Sequence, residues 1–340
     1  MSNIGEFGLI ERISAQFRDN QLSTGGVLGI GDDCAVLPQR EGLDTLVTTD
    51  LLIEDRHFLL GDISPWQLGW KSAAVNISDI AAMGGRPEAT FLSIALPKEF
   101  PAWEGPLPLS DWVDAFIGGF KALSGRFGVP LLGGDTSASP DKLFINVTVL
   151  GSCPHGAAIL RSEARVGDLI CVTGTLGDAA AGLKLILERA STAPGGYFGA
   201  AQALIRRHYE PVPRVAEGIA LRECGGVHSM MDISDGIASD LRHILKASGG
   251  GQPLGAVIDL GSLPMSDELR LLCSERGWDP YELAVSGGED YELLFTLGSD
   301  ALEKARQAVG ELSVIGRITE GPDIRWEGGL QQDYQGFTHF

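Results

Sequence analysis

The sequence predicts an α/β or α+β protein in two halves. Strand-like and helix-like patterns alternate along the whole chain, and the pattern restarts after Gly151. A chain of 340 residues with 44% apolar and 21% charged content is also long enough to build two cores. Phe7, Ile10, Ile13 and Phe17 recur at helical spacing and predict an opening helix. Residues 44–49 read as a strand that ends on Asp50. Trp66, Trp70, Ala73, Ile77 and Ile80 predict a helix over 66–83, stopped by Gly84-Gly85 and Pro87. On it Ser72, Asn76 and Asp79 share one face, a polar stripe on an otherwise apolar element. Strands at 90–96 and 143–150 flank a helix marked by Trp112, Phe116, Phe120, Leu123 and Phe127.

In the second half a strand over 168–173 leads through Gly174–Gly177 into an Ala/Leu-rich helix reaching about Ala190. A loop over 191–199, helices at 200–209 and 213–224, a strand at 229–233 and a helix at 237–246 follow. Strands near 256–260, 291–297 and 313–318 complete the pattern. The boundary falls between 150 and 165, giving halves 1–152 and 153–340.

The net charge of −19 argues against a broad nucleic-acid or anionic-membrane surface. Five widely spaced cysteines form no C-x-x-C pair, so a zinc ribbon, a redox pair and a disulfide framework are not expected. The N-terminus has no basic region followed by an apolar stretch, and no apolar run reaches bilayer length. A soluble, cytoplasmic protein is the expectation.

The chemistry lies in short acidic motifs: Gly29-Ile-Gly-Asp-Asp33, Thr48-Thr49-Asp50, Asn76-Ile-Ser-Asp79, Gly133-Gly134-Asp135-Thr-Ser137 and Asp232-Ile-Ser234-Asp235-Gly236. Each sets acid beside Gly, Ser or Thr and not beside Lys or Arg. Carboxylates gathered without basic partners repel one another, and hard cations such as Mg²⁺ relieve that repulsion. Each motif alone also has a plainer reading: a Gly-Asp turn at 29–33, a capping role for Asp50, a helix N-cap at Asp235, a packing role for His57. Gly133-Gly134 permits close backbone approach to a phosphate, and Asp232–Gly236 sits where a strand becomes a helix, a common anion position. No Walker A and no protein-kinase signature is present.

These residues in this order resemble the thiamine-monophosphate kinase family, which belongs to the superfamily of aminoimidazole ribonucleotide synthetase. The resemblance runs through GIGDDCAVL (29–37), TTD (48–50), NISDIAAMGG (76–85), GGDTS (133–137), VTGTLGDAAAGL (172–183), MDISDGIASDLRHI (231–244) and SGGEDYELLFT (286–296). It implies a two-domain PurM-like fold, a homodimer that pairs through its N-terminal domains, and Mg²⁺-dependent phosphorylation of thiamine monophosphate by ATP. By motif position it implies that Asp33, Thr48, Thr49, Asp50, Asp79, Asp135, Asp232 and Asp235 hold Mg²⁺, and that Gly134, Asp135, Arg161 and Ser234 meet ATP. His57, Glu289 and Phe337 would line the thiamine phosphate pocket, with Phe337 standing where the family usually carries Tyr or Trp. Such a reaction joins two polyanions; unit charges about 4 Å apart interact by ~4 kcal/mol at an intermediate dielectric. Metal ions bridging both substrates offset that repulsion. The attacking phosphate oxygen is already ionised, so no catalytic base is assigned. A sister synthetase, a non-catalytic metal-binding scaffold and a metal-dependent phosphatase are the competing readings.

Overall fold

The computed structural model describes residues 35–97, 109–188, 198–328 and 334–336. The predicted opening helix, Asp33 and Phe337 lie outside them. The first half is a five-stranded sheet built from β1 (Ala35–Arg40), β2 (Leu43–Ile53), β3 (Arg86–Pro97), β4 (Leu131–Ser139) and β5 (Phe144–Pro154), in the order β1-β2-β5-β3-β4. All its pairings are antiparallel except β3 with β4. One face is covered by α1 (Pro65–Ala82) and α2 (Leu109–Arg126). Ser64 caps α1 through a reciprocal box with Gln67, and Pro65 opens its first turn. The two helices meet backbone to backbone: a Cβ on Gly69 would stand 1.9 Å from the Phe116 carbonyl oxygen, and one on Gly119 1.7 Å from that of Trp66.

The opposite face and the β4 edge are open, with Leu51 48% exposed and Leu132 63%. The second half is a six-stranded mixed sheet, order β11-β8-β10-β6-β9-β7. Its strands are β6 (Leu169–Thr173), β7 (Val227–Asp232), β8 (Leu254–Asp259), β9 (Leu293–Leu297), β10 (Leu312–Glu320) and β11 (Ile324–Glu327). Alternate residues face opposite layers. Val172, Met231 and Leu294 pack with α3 (Asp178–Leu187), α4 (Phe198–Tyr209), α6 (Ile237–Ser248), α7 (Asp267–Arg276) and α8 (Pro280–Ser286). Cys171, Met230 and Phe295 pack with α5 (Val215–Cys224) and α9 (Leu302–Val309).

The halves are locked at α1. Gly218 of α5 presses on it, since a Cβ there would come 2.2 Å from the Ala81 carbonyl oxygen. Trp70 Nε1 donates to the Pro211 carbonyl at 2.7 Å, and Arg222 Nη1 to that of Gly84 at 2.7 Å. The four described cysteines are free thiols, and burial pushes Cys153 and Cys273 up to about 11 and Cys171 to about 12. Among the described residues no helix is long and apolar enough to cross a membrane.

One local expectation is corrected. The strand carrying Thr48-Thr49-Asp50 does not stop at Asp50 but runs to Ile53, paired with β5 throughout. Gly133 and Gly134 both lie inside β4, and a Cβ on Gly134 (φ +155°) would stand 1.7 Å from the Leu92 carbonyl oxygen. The close approach that Gly134 permits is therefore to the neighbouring strand.

Candidate active site

A cleft of about 880 Å³ opens between α1 and β2 of the first half and the ends of β7 and the 286–291 loop of the second. Its lining includes Thr48, Thr49, Asp50, His57, Asp79, Arg161, Asp232, Ser234, Asp235 and Glu289. Three of the acidic motifs, together with His57, Arg161 and Glu289, are thereby brought into one cavity. Gly134 and Asp135 are not among its walls. Asp135 pairs with Ser93, Ser93 with Asn146 and Asn146 with Leu51, which places Asp135 on the open face of the first sheet. Asp50 falls in the adjacent row with Val147 and Leu92, whose side chains are buried beneath the helices.

At one end of the cleft carboxylates converge. Thr48 Oγ1 donates to Asp79 Oδ2, tying β2 to α1. Ser78 Oγ donates to Asp232 Oδ2 at 2.5 Å, so the two Ile-Ser-Asp motifs touch across the halves. Burial, then the charges of Asp50 and Asp232, hold the Asp79 carboxyl well above its ordinary range. Burial also raises Asp232, against the pull of Ser78 and the Arg161 guanidinium. Burial, then Asp235 and Asp232, raise Asp240, which accepts from the backbone N–H groups of Ser234 and Asp235 at 3.1 and 3.2 Å. Those amides are satisfied internally, and the N-cap of α6 is Gly236, not Asp235. The capping reading of Asp235 is set aside, and so is that of Asp50, which lies within β2.

Ser72 and Asn76 turn out to serve α1 itself. Ser72 Oγ donates to the Leu68 carbonyl at 2.7 Å and Asn76 Nδ2 to that of Ser72 at 3.3 Å. Of the predicted polar stripe only Asp79 reaches the cleft.

The donor set at the acidic end suits a hard cation. The groups that shift Asp79 are two carboxylates and a threonine hydroxyl, with no cation among them. Among the described residues no three acidic, His or Cys side chains close around a single ion. Mg²⁺, where bound, takes one or two carboxylates and completes its shell with water and substrate phosphates.

The other end is charge-balanced. Lys71, 1% exposed, places Nζ 2.9 Å from both oxygens of Glu289. His208 stands behind, Nδ1 3.1 Å from Glu289 Oε2 and Nε2 3.4 Å from Lys71 Nζ. Burial, then the Lys71 ammonium, push His208 down to about 4, so it is neutral. Burial opposes ionisation of Glu289, yet Lys71, His208 and His57 together hold its carboxyl below the usual range. His57 accepts from the Ile53 N–H at 2.9 Å through Nδ1, which puts the proton of a neutral ring on Nε2.

The 288–292 segment is held by backbone bonds to the β7 end: Glu289 N–H to Ser234 O at 2.8 Å, Tyr291 N–H to Ile233 O at 2.9 Å and Ile233 N–H to Glu292 O at 2.8 Å. Glu289 and Tyr291 are left-handed, with φ of 66° and 52°. Both face the cleft, whereas Asp290 and Glu292 face a second cavity of about 490 Å³ behind the loop. There Asp290 accepts from the Gly177 and Ala179 N–H groups at the start of α3, and Glu292 binds Arg214 and Thr173.

Lys71, His208 and Tyr291 were not singled out from sequence. Lys71 carried a signal, as the lone cation in the apolar stretch 66–83, seven residues from Ser78 and so on the same helical face. His208 carried none, since nothing local marks it.

Two family models match the chain: AIR synthase related protein, N-terminal domain, over residues 31–153, and AIR synthase related protein, C-terminal domain, over residues 165–328. The thiamine-monophosphate kinase of Escherichia coli K12 is 40% identical, covering 99% of this chain and 98% of its own. The chain belongs to the thiamine-monophosphate kinase family. Among solved structures, one described as AaThiL complexed with AMPPCP and TMP has a TM-score of 0.84 at 33% identity, covering 100% of this chain and 98% of that one. The thiamine-monophosphate kinase of Stenotrophomonas maltophilia K279a has a TM-score of 0.74 at 38% identity, covering 95% and 96%. The two sheets described above are thus the two-domain PurM-like fold of this family.

Proposed function

We propose that this member of the family transfers the γ-phosphoryl group of ATP to thiamine monophosphate, giving thiamine diphosphate and ADP, with Mg²⁺ as the required cation. The observation that carries the reading is the cleft's division into an end where carboxylates outnumber the one cation beside them, Arg161, and a charge-balanced end, in a chain so similar to a relative complexed with AMPPCP and TMP.

Asp50, Asp79, Asp232 and Asp235, with Thr48, would hold the ions; Thr49, whose hydroxyl meets Asn146 and Thr148, stays in the set on the resemblance alone. Magnesium bound there would supply neutralisation of the two facing phosphate groups and of the charge spread in the transition state. The protein's own part is positioning. Arg161 and Ser234, on the cleft wall beside Asp232, meet the phosphates of ATP. His57 and Glu289 take the ring end of the acceptor. Asp33, Gly134, Asp135 and Phe337 stay in the proposal on the resemblance alone. No side chain need remove a proton, since the attacking phosphate oxygen is ionised.

A division into domains 1–152 and 153–340 accords with the two sheets, and a cytoplasmic setting with an ATP-using enzyme. The proposed homodimer would cover the open face of the first sheet, where Leu51 is exposed, and its β4 edge, where Leu131 and Leu132 are. Light scattering on the purified chain checks its mass against the 36.0 kDa of one subunit.

The deciding assay combines protein, Mg²⁺, ATP and thiamine monophosphate and resolves products by chromatography. Thiamine diphosphate formed only when all are present supports the kinase. ATP left intact by a protein that binds Mg²⁺ would favour a scaffold or a sister enzyme with another acceptor.

A further inference from the structure

Lys71 belongs to the first half and Glu289 to the second, yet the two form an ion pair from which Lys71 sees almost no solvent. A buried ion pair is a poor way to gain stability, because desolvation cancels much of the attraction and an apolar pair of the same volume does as well. An apolar residue at 71 would suit the core-facing side of α1 better. The pair is therefore best explained by what it does to geometry.

Three constraints act on Glu289 together. Its backbone is left-handed and pinned by the N–H bond to Ser234. Its two oxygens are both met from one side by Lys71, and His208 closes the space behind. The remaining lone pairs are left toward the cleft, where its side chain keeps 27% exposure. A fixed, ionised acceptor suits a ring that presents an amino group, as an aminopyrimidine does.

We propose that Lys71, backed by His208, is the positioning residue that fixes Glu289 toward the cleft, and that the pair makes Glu289 a reader of the acceptor's amino-bearing ring and not of its phosphate. This rests on the kinase reading above. Lys71 touches no reacting atom; it acts through Glu289.

The test is calorimetric binding of thiamine monophosphate and, separately, of AMPPCP with Mg²⁺, to wild type, Lys71→Met, Lys71→Arg, Glu289→Gln and the Met/Gln double variant, alongside KM and kcat for those that turn over. Lys71→Met is expected to weaken thiamine monophosphate by about ten- to a hundredfold, the loss of one charge-assisted hydrogen bond. AMPPCP binding should stay within about twofold, as for an independent site.

On a Glu289→Gln background the Met substitution should add less than about twofold, because the group it positions is already altered. Oxythiamine monophosphate, in which the ring amino group is replaced by oxygen, should be rejected by wild type and nearly accepted by Lys71→Met relative to the natural acceptor. A merely structural lysine would not change that ratio. Should Lys71→Met fail to fold, Lys71→Arg decides, since the planar fork does not fit the enclosure of an ammonium and should displace Glu289.

Unchanged affinity for thiamine monophosphate in the folded lysine variants, or full additivity with Glu289→Gln, overturns the proposal. A wild-type protein that binds thiamine monophosphate through Lys71 and Glu289 yet makes no thiamine diphosphate would leave the inference standing and remove the kinase reading. One that does not bind the compound removes both.

Discussion

Asp79 and Glu289 are carboxylates that line the same cleft, and their surroundings drive them in opposite directions. Asp79 is raised by burial and by Asp50 and Asp232. Glu289 is lowered, because Lys71, His208 and His57 outweigh its burial. Where the chain supplies the counter-charge, as at Glu289, the carboxylate is complete and its role is orientation. Where it does not, the missing positive charge is to arrive with the ligand. On the proposed function, excess acid at one end and balance at the other would divide the cleft into a phosphate end and a ring end.

The largest test of this contrast is to neutralise the unbalanced end. Asp50→Asn or Asp235→Asn should lower kcat by about a thousandfold, since metal-borne charge stabilisation is worth several kcal/mol. Circular dichroism should show the fold intact; full activity in either variant removes that residue from the ion-holding set. Next comes the balanced end. Glu289→Ala leaves Lys71 buried beside an empty space and should cost about 3 kcal/mol in urea unfolding, the low end for a broken buried pair because the cleft wets Glu289. It should also raise KM for thiamine monophosphate with little change in KM for ATP.

The sharpest contrast is one of sign. Asp79→Asn should raise the melting temperature in EDTA by roughly 2–4 °C for each kcal/mol of repulsion relieved. It should also blunt the stabilisation that Mg²⁺ gives wild type. Because the folded-state pKa of Asp79 is raised, its contribution to stability falls as pH rises above its ordinary range, and the Asn variant lacks that decline. A lower melting temperature in EDTA would contradict the reading of the acidic end.

The smallest effect concerns His208. Its folded-state pKa of about 4 lies below the ordinary 6.5, so the unfolded chain binds the extra proton first. Its contribution to stability is therefore lost as pH falls from about 6.5 toward 4. His208→Gln should flatten that limb of the stability profile measured by urea titration at several pH values.

The parts of the fold that were legible in sequence are those where one apolar stripe met one clear stop. Helix α1 was read nearly to the residue, because Trp70, Ala73, Ile77 and Ile80 face the core and Gly84-Gly85 ends the run. The strands β5, β6 and β9 were read from their apolar content, and all have buried faces. β4 was missed because two glycines and a run of polar residues give it no apolar alternation, and only the neighbouring β3 backbone explains why the strand needs Gly134. Helices α7 and α9 carry too few apolar residues for a stripe, although Ser266 at the α7 N-cap and Gly277 after it were available signals.

The site divided the same way. Asp50, Asp79, Asp232 and Asp235 sit in motifs whose composition betrays them, and the cleft gathers all of them. Lys71 and His208 act only as partners of a residue more than eighty positions away, and no local pattern encodes that pairing.

The left-handed backbone at Glu289 and Tyr291 bears on any effort to redirect the enzyme toward a new acceptor. Both positions resist β-branched replacements, and Asp290 and Glu292 between and beyond them anchor α3 and Arg214 on the far side. Recombination that swaps single letters in this loop would break anchors while changing the pocket. The five residues 288–292 behave as one cassette, to be exchanged whole, with Lys71 and His208 kept as the backing that holds Glu289.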